Sequence, residues 1–177
     1  MELKKSLAAL FIFIAIMAFN NDIFAQKYFK GYVITLKGDT TAGQIESPKK
    51  QSDMYNKIKY RLAKGKPIKN FTPEKLKGYG MDTLVFLSTV IEDEPIFVKQ
   101  LLKGTYNLYI GYTSISEGLP DYFYEKDGKI TVIQDKPKQF KKQLVPIMSD
   151  KPEIVKAIES GKYDFESVVD LFKAYNK

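Results

Sequence analysis

The 177-residue sequence contains no cysteine, no histidine and no tryptophan. Without cysteine and histidine the chain cannot build a Ser-His-Asp triad, a cysteine nucleophile, or a zinc, haem or iron–sulfur site from those ligands. It also cannot form a disulfide bond, so a packed core has to supply its stability. The chemistry that remains is carboxylate pairs, a lysine or tyrosine base, and oxygen ligands for ions such as calcium. We therefore predict no cofactor and no metal site.

The first 25 residues have the layout of a signal peptide. Lys4 and Lys5 give a positive start, residues 7–19 are an unbroken apolar run, and Ala25 supplies the small residue before a cleavage site. A helix over that run would be about 20 Å long, which is shorter than the roughly 30 Å hydrocarbon core of a bilayer. We predict an exported protein, periplasmic or extracellular, with a signal peptide at 1–25 and no transmembrane span after its cleavage. A buried N-terminal helix and an uncleaved anchor are the alternatives.

The predicted mature chain is basic only in its first part. Residues 26–80 carry 13 basic and 4 acidic residues, whereas residues 81–177 carry 13 basic and 15 acidic residues. A basic half favours an anionic partner. For an exported protein that partner is an anionic envelope component, such as a polysaccharide or lipid headgroups, or an envelope protein, and not nucleic acid. A lysine-rich surface that only faces water is the alternative.

Alternating apolar and polar residues predict short strands over 26–134. Gly38 and the Asp127-Gly128 pair are typical of hairpin turns. After Asp135 the apolar residues take the spacing of helices, with Asp150 and Asp164 as predicted N-caps.

These patterns predict a single α+β domain over residues 26–177. Its β-rich part, 26–134, is predicted to be a mostly antiparallel sheet or incomplete barrel of about eight short strands. Its helical part, 136–177, is predicted to be a C-terminal helical hairpin.

One predicted strand carries three cations on a single face, namely Lys57, Lys59 and Arg61. Residues two apart on a strand are roughly 7 Å apart, which is inside the Debye length of about 8 Å at physiological salt. The three charges therefore repel one another. Carboxylates on a neighbouring strand, a bound anion or solvation by water would relieve this repulsion, and we name the three residues as candidate ligand contacts.

Tyrosine is abundant, and all 12 tyrosines follow the predicted signal peptide. Tyr109, Tyr122 and Tyr124 belong to a group that is crowded in the sequence, and we name them as further candidate ligand contacts. Aromatic faces can stack on sugars or anchor a protein partner. The competing interpretation, which the pattern favours, is that these tyrosines half-bury in the sheet, because tyrosine is a good strand residue.

Two acidic groups in the sequence are candidates for chemistry. Asp121, Glu125 and Asp127 are candidates for the paired carboxylates of glycoside hydrolysis. The turn Glu92-Asp93-Glu94 lacks the ligand spacing of an EF-hand calcium loop, which favours a solvated turn. We predict no catalytic residue.

Three stretches resemble, in their order, a family of exported proteins common in Bacteroidota for which no activity is known. They are Gly31-Tyr32-Val33 leading to Gly38-Asp39-Thr40 and Gly43, Phe71-Thr72-Pro73-Glu74 leading to Gly78-Tyr79-Gly80, and the ending Lys173-Ala174-Tyr175-Asn176. The resemblance implies export and an envelope or extracellular setting, and it brings no ligand or site residues.

The leading functional prediction is a non-enzymatic binding or interaction module of the cell envelope. The alternatives are a carboxylate-based hydrolase of envelope glycans and a structural subunit of an envelope assembly.

Overall fold

Ten antiparallel strands form one curled sheet, a half-barrel, in the computed structural model, which describes residues 28–113 and 119–177. The predicted signal peptide at 1–25 lies outside the described residues. The strands are β1 (Tyr28–Thr35), β2 (Thr40–Glu46), β3 (Ile58–Arg61), β4 (Lys69–Phe71), β5 (Leu76–Met81), β6 (Leu84–Ile91), β7 (Glu94–Leu102), β8 (Asn107–Gly111), β9 (Asp121–Lys126) and β10 (Lys129–Val132).

Helices cover parts of the sheet. They are α1 (Asp53–Asn56), α2 (Pro137–Ile147), α3 (Pro152–Glu159) and α4 (Val168–Tyr175), with a 3-10 turn at Pro73–Lys75. Within the described parts of the chain, no helix is both long and apolar enough to cross a membrane.

The strand order follows the chain with one exception. The order across the sheet is β4-β3-β2-β1-β5-β6-β7-β8-β9-β10, so β5 pairs with β1 and not with β4. Two runs of consecutive strands, β1 to β4 and β5 to β10, therefore meet at the β1–β5 pair. This confirms the prediction of a mostly antiparallel sheet that forms an incomplete barrel.

The predicted number of strands, about eight, is corrected to ten. The strands that the pattern missed are β4, which is three residues long, and β5, whose glycines resemble a loop. Gly78 and Gly80 sit in β5 because neighbouring groups approach closely. A Cβ atom at Gly78 would lie 2.4 Å from the Phe86 carbonyl oxygen, and one at Gly80 would lie 2.2 Å from the Tyr32 ring.

The C-terminal part has three short helices, and the predicted hairpin is not confirmed. Neither predicted cap starts its helix. The side chain of Asp150 accepts a hydrogen bond from the Tyr175 hydroxyl at 2.8 Å, and α3 begins two residues later. Asp164 instead accepts a bond from the Ser167 amide in the turn before α4.

The largest core lies under α2, α3 and α4. Leu108 and Tyr124 of the sheet pack there against helical residues that include Leu144, Ile158 and Phe172. The opposite face of the same strands carries a separate small core around Val98, Tyr109 and Phe123. Cores therefore pack against both faces of this end of the sheet, and a cavity of about 350 Å³ remains beside the start of β9 and the end of β10.

A second large core lies beside β1, β2, β3, β5 and β6. The pairs Val33 with Tyr79, Ile45 with Tyr60 and Tyr79 with Phe86 put its side chains on one face of the sheet. The single turn of α1 covers this core by inserting Tyr55. A four-residue helix is a small cover, and it leaves an opening beside it.

Candidate functional site

A cavity of about 260 Å³ opens beside α1, between the end of β2 and the start of β3. Its apolar wall comes from the second core, from α1 and from the segment after β2: Ile45, Ile58, Tyr79, Met81, Met54 and Pro48. Its polar wall consists of Glu46, Ser47, Lys49, Asp53, Lys57 and Lys59.

The wall of the cavity depends on two tyrosines. The Tyr79 hydroxyl donates a 2.6 Å hydrogen bond to the carbonyl oxygen of Met54 and so ties α1 to the sheet. The Tyr55 ring lies edge-on to Phe86, with ring centroids 5.7 Å apart. Burial, with a smaller effect from Tyr112, raises the pKa of Tyr55 to about 12, and burial also raises the pKa of Tyr79. Both phenols stay neutral at physiological pH and act as structural anchors.

Glu46 and Lys59 form an ion pair at the cavity. The Lys59 Nζ is 3.2 Å from Glu46 Oε2 and donates a long hydrogen bond to Oε1 at 3.4 Å. The Glu46 side chain is only 9% exposed, whereas that of Lys59 is 46% exposed. Oε2 is buried and receives no aligned hydrogen bond from the described residues. This pair holds the Lys59 ammonium beside the cavity and offsets its charge.

Lys57 lies at the mouth of the cavity, directly after α1. Its backbone amide donates to the carbonyl oxygen of Asp53. Its side chain is exposed, as is that of Lys49. Neither lysine forms an ion pair with a described residue. Lys49 and Lys57 are therefore the cations available to a ligand in the cavity.

Arg61 does not share the surroundings of Lys57 and Lys59, because it contacts other residues. Its Nε donates to Gln44 Oε1 at 2.9 Å, and its guanidinium carbon lies 3.5 Å from the centroid of the Tyr28 ring. It does not line the cavity. Cross-strand partners thus relieve the charge repulsion in β3, with Glu46 for Lys59 and Gln44 and Tyr28 for Arg61.

The three predicted tyrosines do not form a shared aromatic surface. Tyr109 pairs with Phe123 and lies in the small core, whereas Tyr122 and Tyr124 point to the opposite face. Tyr124 is buried near Phe172, and the half-buried Tyr122 ring is 5.4 Å from that of Phe165. Burial in the sheet, the competing interpretation, describes Tyr109 and Tyr124, and a ligand contact of these two rings stays a prediction.

The acidic residues of β9 are engaged in structural bonds. Glu125 Oε2 accepts hydrogen bonds from the Tyr109 hydroxyl at 2.5 Å and from Asn107 Nδ2 at 2.8 Å, and these bonds lower the pKa of Glu125. Asp121 Oδ2 accepts from Thr113 Oγ1 at 2.7 Å.

The two carboxylates are also widely spaced. Asp121 and Glu125 are four residues apart on one strand, about 13 Å along its axis. Glycosidase carboxylates are about 5–9.5 Å apart, and the general acid has a raised pKa. The geometry of β9 does not favour the hydrolase alternative.

The turn Glu92-Asp93 joins β6 to β7, and both residues have positive φ, at 47° and 66°. Two residues of this conformation make a tight hairpin turn, which explains the acidic pair without a calcium ion. Within residues 28–113 and 119–177, no group of three or more acidic side chains is arranged to hold a metal.

No protein-family model, curated protein or solved structure matches this chain significantly. The candidate site therefore rests on its own geometry. The sequence pattern found Lys57 and Lys59 but missed Glu46, Asp53 and Met81. The position of Glu46 at the end of an alternating strand, just before Ser47-Pro48, was a usable signal for a strand-end residue. Met81 reaches the cavity because β5 pairs with β1, and no local pattern in the sequence indicates that pairing.

Proposed function

We propose that this chain is an exported, non-enzymatic binding module of the cell envelope, and that the cavity beside α1 is its ligand site. The observation that carries the proposal is that Lys57 and Lys59 lie over an apolar wall in a preformed opening. Export is supported by the pattern of residues 1–25 and by the resemblance to exported proteins of Bacteroidota. The choice of a binding role is supported by the residue types that the chain lacks.

The lining favours a small ligand that has both an apolar part and an anionic group. Ile58, Tyr79 and Met81 offer apolar contact, while Lys57 and Lys49 offer unpaired ammonium groups at the mouth of the cavity. The volume of about 260 Å³ is just below the range of about 300–1,000 Å³ that is usual for ligand pockets. A short-chain carboxylate or phosphate ester fits this description, with its apolar tail inside the cavity and its charged group at the mouth of the cavity.

Calorimetric titration with octanoate, and with octanol as the uncharged counterpart, tests the proposal. We expect octanoate to bind more tightly than octanol, and Lys57→Glu to weaken octanoate binding about tenfold, which corresponds to about 1.4 kcal/mol. Lys50→Glu is the matched control, because Lys50 is an exposed neighbour that does not line the cavity.

A second variant separates occupation of the cavity from surface attraction. Ser47→Phe places a ring in the cavity without removing a core side chain, and we expect it to abolish binding of both probes. If Ser47→Phe binds octanoate normally, or if Lys50→Glu and Lys57→Glu weaken binding equally, the cavity is not the site.

A further inference from the structure

A different part of the molecule carries a second surface, which we call the basic rim: the β1–β2 turn at residues 36–39 and the β3–β4 loop at residues 62–68, together with Lys69. We propose that the basic rim docks on the surface of an anionic phospholipid bilayer. This proposal goes beyond the cavity and its ligand, and it uses none of the residues that line the cavity.

The first observation is the charge of the rim. The rim contains four basic residues, Lys37, Lys64, Lys66 and Lys69, and residues 62–69 contain no acidic residue. Every residue from 62 to 70 is exposed. Lys64, Lys66 and Lys69 form no ion pair with any residue in the described ranges, and Asp39 is the only acidic residue of the rim. The rim is thus a cluster of unpaired cations.

The second observation is that the strand register brings the turn and the loop to the same end of the sheet. Ile34 pairs with Thr40 just before the turn, and Gln44 pairs with Arg61 just before the loop. Neighbouring strands are about 4.8 Å apart, so the four strands β1 to β4 span about 15 Å at this end. Lys37 of the turn and the loop lysines therefore lie at the same end of the sheet.

The third observation is apolar exposure at the same place. Leu36 is 57% exposed, Leu62 is 57% exposed and Ile68 is 48% exposed. They are three of the five large apolar side chains that are exposed within the described residues. Leu62 continues the alternation of Ile58 and Tyr60, but β3 ends at Arg61 and leaves it outside the core.

Cations interleaved with exposed apolar side chains match a lipid surface better than a soluble polyanion. Lysine ammonium groups are attracted to anionic headgroups, while leucine and isoleucine gain by entering the interface between headgroups and acyl chains. A polysaccharide would use the lysines but would leave Leu36, Leu62 and Ile68 in water. The rim has both parts, on adjacent connections at one end of a rigid sheet.

Vesicle co-sedimentation tests the inference. The chain from Gln26 onward contains every described residue, so it is used together with vesicles of phosphatidylglycerol and phosphatidylcholine or of phosphatidylcholine alone. We expect binding to the anionic vesicles only, and weaker binding as salt is added. Each basic residue near such a surface strengthens binding about fivefold, so we expect Lys64→Glu with Lys66→Glu to weaken it at least tenfold.

The apolar side chains supply the decisive comparison. We expect Leu62→Ser with Ile68→Ser to weaken vesicle binding several-fold while leaving binding to soluble polyglutamate unchanged. Val90→Ser is the matched apolar control, because Val90 is 62% exposed but lies beside the acidic Glu92-Asp93 turn. Lys136→Glu with Lys138→Glu is the matched charge control, since both lysines are exposed at the start of α2.

Four results would overturn the inference. They are no binding to anionic vesicles, equal binding to neutral vesicles, equal loss in the control variants, or normal vesicle binding by the Leu62→Ser, Ile68→Ser variant. The last result, with polyglutamate binding retained, would show that the lysines alone account for binding, as they would for any polyanion. Octanoate titration of the same rim variants keeps the two proposals separate, because the cavity predicts no change there.

Discussion

The two ends of the sheet are built from the same kind of short antiparallel strand but are closed to different degrees. At the β7–β10 end, three helices cover one face and a small core fills the other. At the β1–β4 end, a helix of four residues is the cover, and a cavity and a basic rim remain open. Closure supplies stability, and incomplete closure leaves room for a ligand. We therefore expect stability to depend mainly on one end and binding on the other.

The largest effect should come from the closed end. Phe172 of α4 is fully buried near Tyr124. Phe172→Ala leaves a cavity in the largest core and should lower the free energy of unfolding by about 3–5 kcal/mol. Urea denaturation measures this loss. Lys173→Ala, on the exposed side of the same helix, is the control. A loss below about 1 kcal/mol at Phe172 would mean that the helices add little to stability.

A smaller, matched pair of changes separates the two ends directly. The Tyr79 hydroxyl holds α1 by a bond to the Met54 carbonyl oxygen, and the Tyr106 hydroxyl holds the end of α2 by a 2.9 Å bond to the Ile147 carbonyl oxygen. Tyr79→Phe and Tyr106→Phe should each lower the free energy of unfolding by about 1 kcal/mol.

The two variants should differ in ligand binding. We expect only Tyr79→Phe to weaken octanoate binding, because only this bond positions a wall of the cavity. Hydrogen exchange at the amides of α1 should rise in the same variant. Equal effects of the two variants on binding would contradict the division of roles between the two ends.

The smallest effect concerns pH at the closed end. Bonds from Tyr109 and Asn107 lower the pKa of Glu125 in the folded protein. A lowered folded pKa contributes stability that is present above the unfolded pKa of about 4.3 and is lost as pH falls through the folded value. Glu125→Gln should therefore flatten the loss of stability below about pH 4.3. Urea midpoints between pH 3 and 6 measure the slope. The exposed Glu166→Gln is the control, and an unchanged slope in Glu125→Gln would contradict the prediction.

Much of the sheet could be predicted because its signals are local. Gly38 has a φ of 98° in its turn, and Asp127 and Gly128 have φ values of 51° and 76°, as their hairpin positions require. Residues 83–92 have apolar side chains on both faces, a pattern typical of a central strand, and β6 lies in the middle of the sheet.

The rest depends on contacts between distant residues. The glycines of β5 fit because Tyr32 and Phe86 crowd them, which no local pattern shows. Asp150 does not cap α3 because it accepts a bond from Tyr175, 25 residues away. At the site, the alternation over residues 57–61 indicates that Lys57 and Lys59 are exposed, but the partner Glu46 is identified only when β2 lies beside β3.

The single pairing that departs from chain order has a consequence for how the protein folds. Eight of the nine strand pairings join consecutive strands, and each can form locally. Pairing β1 with β5 instead closes a loop of about 40 residues, at an entropic cost of about 3 kcal/mol. We expect the two runs of strands to form first and their joining to set the folding rate. A chain caught before that step presents β1 and β5 as two bare edges, which makes their meeting the point at which misassembly between molecules competes with folding.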